Sequence, residues 1–129
     1  MTDTAETYRT VTPYLVVPDA DAEIAFLKAA FGGTEESCQR HADNTVMHAE
    51  IKIGDSLVML GQASGTVQAR PAAFYLWVDD VDAMYARALR AGATSESAPE
   101  DKPYGHRNAG IVDQNGLTWW IGAPVKSRP

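Results

Sequence analysis

The spacing of apolar residues predicts strands and helices in alternation, beginning with a β-rich segment at residues 11–17. Asp19 follows, a residue type that favours the N-cap of a helix. After it, apolar residues recur at three- and four-residue spacings, as on one helix face: Ile24, Leu27 and Phe31. Gly32-Gly33 then ends the helix, because glycine tolerates the left-handed backbone past the last turn.

Three further strands follow the helix. Residues 35–40 are polar, and the other two strands, 45–53 and 57–60, are more apolar. Asp43-Asn44 and Gly54-Asp55 are typical turn pairs between them. The first part of the chain therefore has the predicted order β-α-β-β-β.

The second part of the chain repeats the first. Six residues recur after a shift of 61 positions, and after one gap a shift of 60 aligns four more. The first set is Leu15, Val17, Asp19, Asp21, Ala22 and Ala25, matched by Leu76, Val78, Asp80, Asp82, Ala83 and Ala86. The second set is Gly32, Thr34, Glu36 and Ser37, matched by Gly92, Thr94, Glu96 and Ser97.

The repeat predicts the same elements again. We expect strands at 74–78, 94–98, 108–112 and 117–121 and a helix at 81–91, with 99–105 as a polar loop. Residues 61–71 are the linker. The prediction is thus one domain, 1–129, made of two modules, about 8–62 and 70–125.

Composition narrows the class of protein. The 129 residues are 45% hydrophobic and 22% charged, as in one globular domain. A net charge of -6 opposes binding of nucleic acids and favours cationic small molecules. The one cysteine, Cys38, excludes an intramolecular disulfide and a cysteine-based zinc site. With no leader-like start and no long apolar run, we expect a soluble, cytoplasmic protein without membrane or nucleic-acid partners.

Five segments of the chain carry recognisable motifs: Tyr14–Ala20, Phe31–Gly33, His48–Asp55, Tyr104–Arg107 and Asp113–Ile121. They resemble motifs of the vicinal oxygen chelate superfamily, which includes glyoxalase I, extradiol dioxygenases and bleomycin-resistance proteins. The nearest resemblance is to small bacterial glyoxalase-like proteins. It implies an α+β fold in which two paired β-α-β-β-β modules form a curved mixed sheet around a small-molecule cavity, often in a homodimer.

In metal-dependent members of this superfamily, the first and last strands of each module supply one ligand each. The resemblance places these positions at Thr12, Ala73, Met59 or Leu60, and Trp120. None carries an imidazole or a carboxylate, which are the usual ligands of such ions. We therefore expect no metal at the usual site, which argues against glyoxalase I and dioxygenase activity.

Strand alternation predicts which side chains line the cavity. If Leu15 and Val17, with their repeat partners, face the helices, the residues between them face the concave side. Trp119 then belongs to the core, and Met47 also packs inward. The predicted ligand-binding set is aromatic, which suits flat or cationic compounds: Tyr14, Tyr75, Trp77 and Trp120.

His48 and Glu50 lie two residues apart on one predicted strand and share a face. They are the candidate catalytic residues, since the carboxylate would hold the imidazole in one tautomer for proton transfer. The alternative is a solvated or dimer-facing ridge. His106 and Arg107 end the polar loop, where Arg107 would close over an anionic group of the ligand, unless the loop tip is simply solvated.

Two functions remain. One is metal-independent binding or sequestration of a small aromatic or cationic compound, as in bleomycin-resistance proteins, and we place it first. The other is a lyase, isomerase or dioxygenase-type enzyme using His48 with Glu50, or a metal at a displaced site formed by these residues and His106. We also expect a homodimer, because two open modules expose sheet edges.

Overall fold

The structure is a computed structural model that describes residues 8–126. Residues 1–7 and 127–129, which the predicted domain also includes, lie outside the described part. The chain divides into two compact units that separate at Arg70–Pro71, with Ala29–Phe31 grouped with the second. Within the described residues, no helix is long and apolar enough to span a membrane.

The first module contains four strands and one helix. They are β1 (Tyr14–Val17), α1 (Ala20–Phe31), β2 (Thr34–Arg40), β3 (Val46–Ile53) and β4 (Ser56–Gln62). The strands form one mixed sheet in the order β1-β4-β3-β2, in which only β1 and β4 are parallel. One face of this sheet is buried, with Leu15, Val17, Ala49, Ile51 and Leu60 almost inaccessible to solvent.

The second module repeats this arrangement. It contains β5 (Ala73–Trp77), α2 (Val81–Arg90), β6 (Thr94–Asp101), β7 (His106–Val112) and β8 (Thr118–Pro124). Its sheet has the equivalent order β5-β8-β7-β6, again with one parallel pair, β5 and β8. The α+β class and the two β-α-β-β-β modules predicted from the sequence are confirmed.

Both helices begin at the predicted aspartates. The side chain of Asp19 accepts a hydrogen bond from the backbone N–H of Ala22, and that of Asp80 from Ala83. These bonds satisfy backbone donors that have no partner within the helix. The positive φ of 68° at Gly32 ends α1 in the left-handed conformation.

The buried face of the second sheet centres on Trp119, which is 2% exposed. Its ring stacks on Phe74 with centroids 4.6 Å apart and contacts Phe31 at 5.1 Å. Strand alternation placed Trp119 in the core and Trp120 on the other face, and the burial of the two side chains agrees with that register.

The expectation that Met47 packs inward is wrong, because its side chain is 45% exposed. The pairing of β2 with β3 shifts by one residue at this point. Gln39 lies opposite His48, whereas Arg40 lies opposite Val46. The extra residue reverses the alternation, so Val46 takes the buried place.

The predicted loop at 99–105 is also shorter than expected. β6 continues to Asp101 and β7 begins at His106, so only residues 102–105 connect them. Glu100 and Asp101 pair with β7, and their polarity is that of an exposed edge strand rather than of a loop. His106 and Arg107 are therefore strand residues, and the placement on a loop is wrong.

Candidate functional site

The first module carries a polar cluster on the face of its sheet opposite the buried core. On β3, Nε2 of His48 lies 3.0 Å from Oε2 of Glu50. The hydroxyl of Tyr8 donates a 2.6 Å hydrogen bond to the same carboxylate oxygen. The Glu50 side chain is 11% exposed and that of His48 27%. The ring of Tyr14, on β1, lies 5.6 Å from the His48 ring between centroids.

Glu50 is held as a carboxylate by these neighbours. Burial by itself raises the pKa of Glu50, since it penalises the charged form. Hydrogen bonds from Tyr8 and His48, together with the charge that His48 carries when it is protonated, lower the pKa by more, so it lies below its ordinary value of 4.5. Glu50 is therefore ionised at neutral pH.

The second module carries an aromatic cluster on the equivalent face of its own sheet. Tyr75 is 48% exposed and Trp77 is 56% exposed, although both lie on strand β5. His106 of β7 contacts both rings, with centroids 4.8 Å from Trp77 and 6.1 Å from Tyr75. The hydroxyl of Tyr75 lies 3.2 Å from Nδ1 of His106.

Two glycines let aromatic rings lie against this sheet. A Cβ added at Gly122 would collide with the ring and hydroxyl of Tyr75, and one at Gly110 would come within 2.5 Å of the Trp120 ring. The first module shows a similar relation, because a Cβ at Gly61 would lie 3.2 Å from the hydroxyl of Tyr14. Each tyrosine thus extends across a glycine of the neighbouring parallel strand. The two tyrosines and the two glycines occupy equivalent positions of the internal repeat.

Tyr104 and Asn108 complete the aromatic cluster, and the sequence did not indicate them as site residues. The Tyr104 ring lies 5.3 Å from that of His106, and its hydroxyl accepts a 2.9 Å hydrogen bond from Nδ2 of Asn108. Alternation along β7 would have indicated His106 and Asn108 had the strand been predicted to begin at 106. No sequence pattern indicated Tyr8.

Arg107 lies on the other face of β7, away from the aromatic cluster. Its guanidinium makes two hydrogen bonds to Asp82 of α2 and one to Asp101 of β6, all of 3.0 to 3.1 Å. These hydrogen bonds raise the pKa of Arg107 above its ordinary value. Its role in binding an anionic group stays a prediction, and its guanidinium is already occupied by two carboxylates.

A cavity of about 440 Å³ lies beside the first turn of α2. Of the predicted site residues it contains Arg107 alone. Three of the four aspartates that line it have structural partners: Asp80 caps α2, and Asp82 and Asp101 bind Arg107. We therefore place the candidate site on the two sheet faces, where the exposed rings and the His48–Glu50 pair lie, and not in this cavity.

The residues at the superfamily's usual metal positions do not fit a metal ion. Leu60 is fully buried in the core, and the Trp120 ring covers Gly110. Thr12, Ala73 and Met59 offer no imidazole or carboxylate. Among residues 8–126, no three histidine, cysteine, aspartate or glutamate side chains are grouped as metal ligands. The displaced site at His48, Glu50 and His106 stays a prediction.

Comparison with known proteins agrees with this fold. The family model of the Glyoxalase/Bleomycin resistance protein/Dioxygenase superfamily matches residues 8–121. An uncharacterized protein of Mycobacterium bovis is 35% identical over 127 residues, covering 90% of this chain and 84% of the relative. The chain therefore belongs to the glyoxalase/bleomycin resistance protein/dioxygenase superfamily, as the resemblance predicted.

Solved structures show the same architecture. TioX from Micromonospora sp. ML1 is similar with a TM-score of 0.72 and 25% identity, covering 94% of this chain and all of TioX. A glyoxalase-related enzyme from Clostridium phytofermentans has a TM-score of 0.73 at 13% identity, covering 92% of this chain and 96% of its own. The similarity to the Clostridium phytofermentans enzyme shows a shared fold and no more.

Proposed function

We propose that this chain binds and sequesters a small planar compound, either neutral or cationic, without changing it chemically. The binding surface is the aromatic face of the second module, defined by Tyr75, Trp77, Tyr104, His106 and Trp120. One observation carries the proposal: Tyr75 and Trp77 are about half exposed on a sheet whose other face buries Ile111, Trp119 and Ile121. Exposed rings grouped on one surface are typical of binding sites.

The ring geometry suits a flat ligand. Tyr75 and Trp77 have centroids 6.5 Å apart and planes inclined by 29°, so they present nearly parallel faces. Aromatic side chains prefer offset stacking or edge-to-face contact with another ring. A planar compound would gain both stacking on these faces and burial of about half of two large side chains.

Charge favours a cation over an anion on this face. The Cβ of Glu96, on β6, lies 3.2 Å from the Cβ position of Gly110, beside the Trp120 ring. Glu96 therefore leaves its strand on the side of the Trp120 ring, and a carboxylate on that side would add to the attraction that ring faces have for cations. The net charge of -6 acts in the same direction over longer distances.

A thermal-shift panel tests this proposal. The panel contains planar aromatic cations, planar neutral compounds and saturated compounds of similar size, each measured with and without a metal chelator. A ligand of the native state raises the unfolding temperature. We expect planar cations to give the largest increase, with no effect of the chelator.

Two variants locate the binding surface. Trp77→Ala removes an exposed ring without opening the core, so the increase in unfolding temperature given by planar cations should fall strongly. Arg107→Ala is the control, in which this increase should remain. An increase that depends on added metal, or one that Trp77→Ala leaves intact, would contradict the proposal. Elemental analysis that finds a stoichiometric metal in the purified protein would do the same.

Acid-base catalysis at His48 and Glu50 is a second candidate function. It is favoured by the 3.0 Å contact between the imidazole and a largely buried carboxylate. This arrangement resembles the orientation of a catalytic histidine by an acidic residue, in which the carboxylate fixes the tautomer and stabilises the imidazolium. Turnover of a substrate that is lost in His48→Ala and retained in Trp119→Phe would support it.

A further inference from the structure

We infer that the first module presents Nδ1 of His48 as a hydrogen-bond and proton acceptor for a planar weak acid, a compound with a phenol or enol O–H. Glu50 and Tyr8 are the positioning residues of this acceptor. The inference rests on the second candidate function and is independent of ligand binding on the aromatic face of the second module.

The tautomer of His48 follows from its contact with Glu50. A carboxylate can only accept hydrogen bonds, so the ring nitrogen 3.0 Å from Oε2 must carry a proton. That nitrogen is Nε2. In the neutral imidazole, the lone pair is then on Nδ1, which has no hydrogen bond to the protein among residues 8–126.

The surroundings of His48 favour a ring-bearing donor. Tyr14 packs on one side of the imidazole, with the two planes inclined by 40°, and Tyr14 is itself 51% exposed. Gln39 lies opposite His48 on β2, and Glu50 is the charged group that contacts it. A planar ligand could therefore stack on Tyr14 while its O–H reaches Nδ1.

The internal repeat shows that this arrangement is specific to the first module. In the pairing of the last two strands, Ala49 lies opposite Leu60, and Ala109 lies opposite Ile121 in the second module. The neighbours of Ala109 on each side are Asn108 and Gly110, at the places of His48 and Glu50. The second module therefore has no imidazole-carboxylate pair at the equivalent positions.

Tyr8 holds the carboxylate in place for this task. Its hydroxyl donates to Oε2, the same oxygen that contacts His48, and the bond is short at 2.6 Å. Two donors converging on one oxygen fix the rotamer of Glu50 and keep that oxygen directed at Nε2. Tyr8 does not contact the ligand in this scheme and acts through Glu50.

The proton transfer is balanced by the residues present. The O–H bond of the weak acid breaks, and an N–H bond forms at Nδ1. The electron pair stays on the ligand oxygen as a phenolate or enolate. The resulting imidazolium is paired with the ionised Glu50, and return of the proton restores the starting state.

Nitrogen NMR of the imidazole ring tests the tautomer directly in the wild-type protein. We expect neutral His48 to carry its proton on Nε2, and Glu50→Gln or Tyr8→Phe to give a mixture of tautomers. Predominant protonation of Nδ1 in the neutral ring would overturn the inference. So would an unchanged tautomer ratio in both variants, which would remove their positioning role.

Binding is tested with 4-nitrophenol, a planar weak acid whose phenolate absorbs visible light, and with 4-nitroanisole, its matched analogue without the O–H. One net hydrogen bond should make the phenol bind about twofold to tenfold more tightly than the ether. We expect His48→Ala to abolish this preference and Trp77→Ala to retain it. Bound nitrophenol should also show more phenolate absorbance in the wild type than in His48→Ala.

The two variants separate this inference from the proposed function. If the preference for nitrophenol persists in His48→Ala, the inference is overturned even when planar cations still bind the aromatic face. If Trp77→Ala alone abolishes the preference, the phenol binds the aromatic face, and the inference is again overturned. Loss of the preference in His48→Ala with retention in Trp77→Ala supports it, whatever the thermal-shift panel shows.

Discussion

The indole N–H of Trp119 donates a 2.9 Å hydrogen bond to the carboxylate of Asp113, and both side chains are buried. The other oxygen of Asp113 accepts backbone hydrogen bonds from Asn115 and Leu117, each of 3.0 Å. One carboxylate thus anchors the core tryptophan and organises the turn into β8. The next residue, Trp120, points to the opposite face of the same sheet.

Because Trp119 and Trp120 lie on opposite faces of the sheet, their removal should have different effects on stability and on ligand binding. Trp119→Ala should lower the free energy of unfolding by roughly 3 to 5 kcal/mol, since it leaves a cavity and removes the hydrogen bond to one oxygen of a buried carboxylate. Trp120→Ala should cost less, because its ring is partly exposed, and should weaken ligand binding more. Urea unfolding and ligand titration of both variants measure this. A larger stability loss in Trp120→Ala would contradict the register.

The close approach of Tyr75 to Gly122 makes that glycine a test of the aromatic face. Gly122→Ala would place a methyl group where the Tyr75 ring lies, so the half-exposed ring must swing away from His106. We expect weaker binding of planar cations with a small loss of stability. Gly65→Ala is the control, since nothing lies within 4 Å of its Cβ position. Equal affinity in the two variants would argue against a role for Tyr75.

The lowered pKa of Glu50 predicts how stability depends on pH. The unfolded state has the higher pKa, about 4.5, so it binds more protons as the pH falls. The stabilisation by Glu50 is fully present above that value and is lost as the pH falls through the lower folded pKa. Glu50→Gln should therefore cost about 1 to 3 kcal/mol at neutral pH and much less in acid.

Urea unfolding of the wild type and Glu50→Gln across this range measures the difference. Glu36→Gln serves as the control, since Glu36 is an exposed carboxylate on β2. Its effect should be small and should not change between neutral and acid pH. A Glu50→Gln penalty that is constant with pH would show that the charge of Glu50 contributes nothing.

We also expect two copies of the chain to associate. The strands β2 and β6 lie at sheet edges, where their unpaired backbone groups can bind another chain. The side chains of Tyr14, Tyr75 and Trp77 are exposed apolar surface, next to which a symmetric contact between two copies could form. Light scattering at micromolar concentration should give twice the mass of one chain. The mass of a single chain under these conditions would refute the expectation.

The sequence predicted the elements because each depends on local signals. Asp19 and Asp80 mark helix starts, and Gly32 marks a helix end, through hydrogen bonds and backbone angles formed within a few residues. The face assignment of Trp119 and Trp120 also followed from simple alternation. The internal repeat then carried one module's pattern over to the other.

The predictions from sequence were wrong where the structure depends on contacts between residues far apart in the chain. The outward position of Met47 depends on a register shift against β2, which no pattern within β3 reveals. Likewise, the strand character of Glu100 and Asp101 comes from pairing with β7, and their polarity alone favours a loop. The contact of Tyr8 with Glu50 joins residues 42 positions apart, and that of Tyr75 with His106 joins residues 31 apart.

The most direct test of the binding proposal uses the three tryptophans of the chain. Each gives one indole N–H signal in a nitrogen-proton NMR spectrum, and single Trp→Phe variants assign them. On titration with the planar cation that stabilises the protein most, the signals of Trp77 and Trp120 should shift with one common dissociation constant, and that of Trp119 should stay in place. A shift confined to Trp119, or no shift at Trp77 and Trp120 at saturation, would contradict binding on the aromatic face.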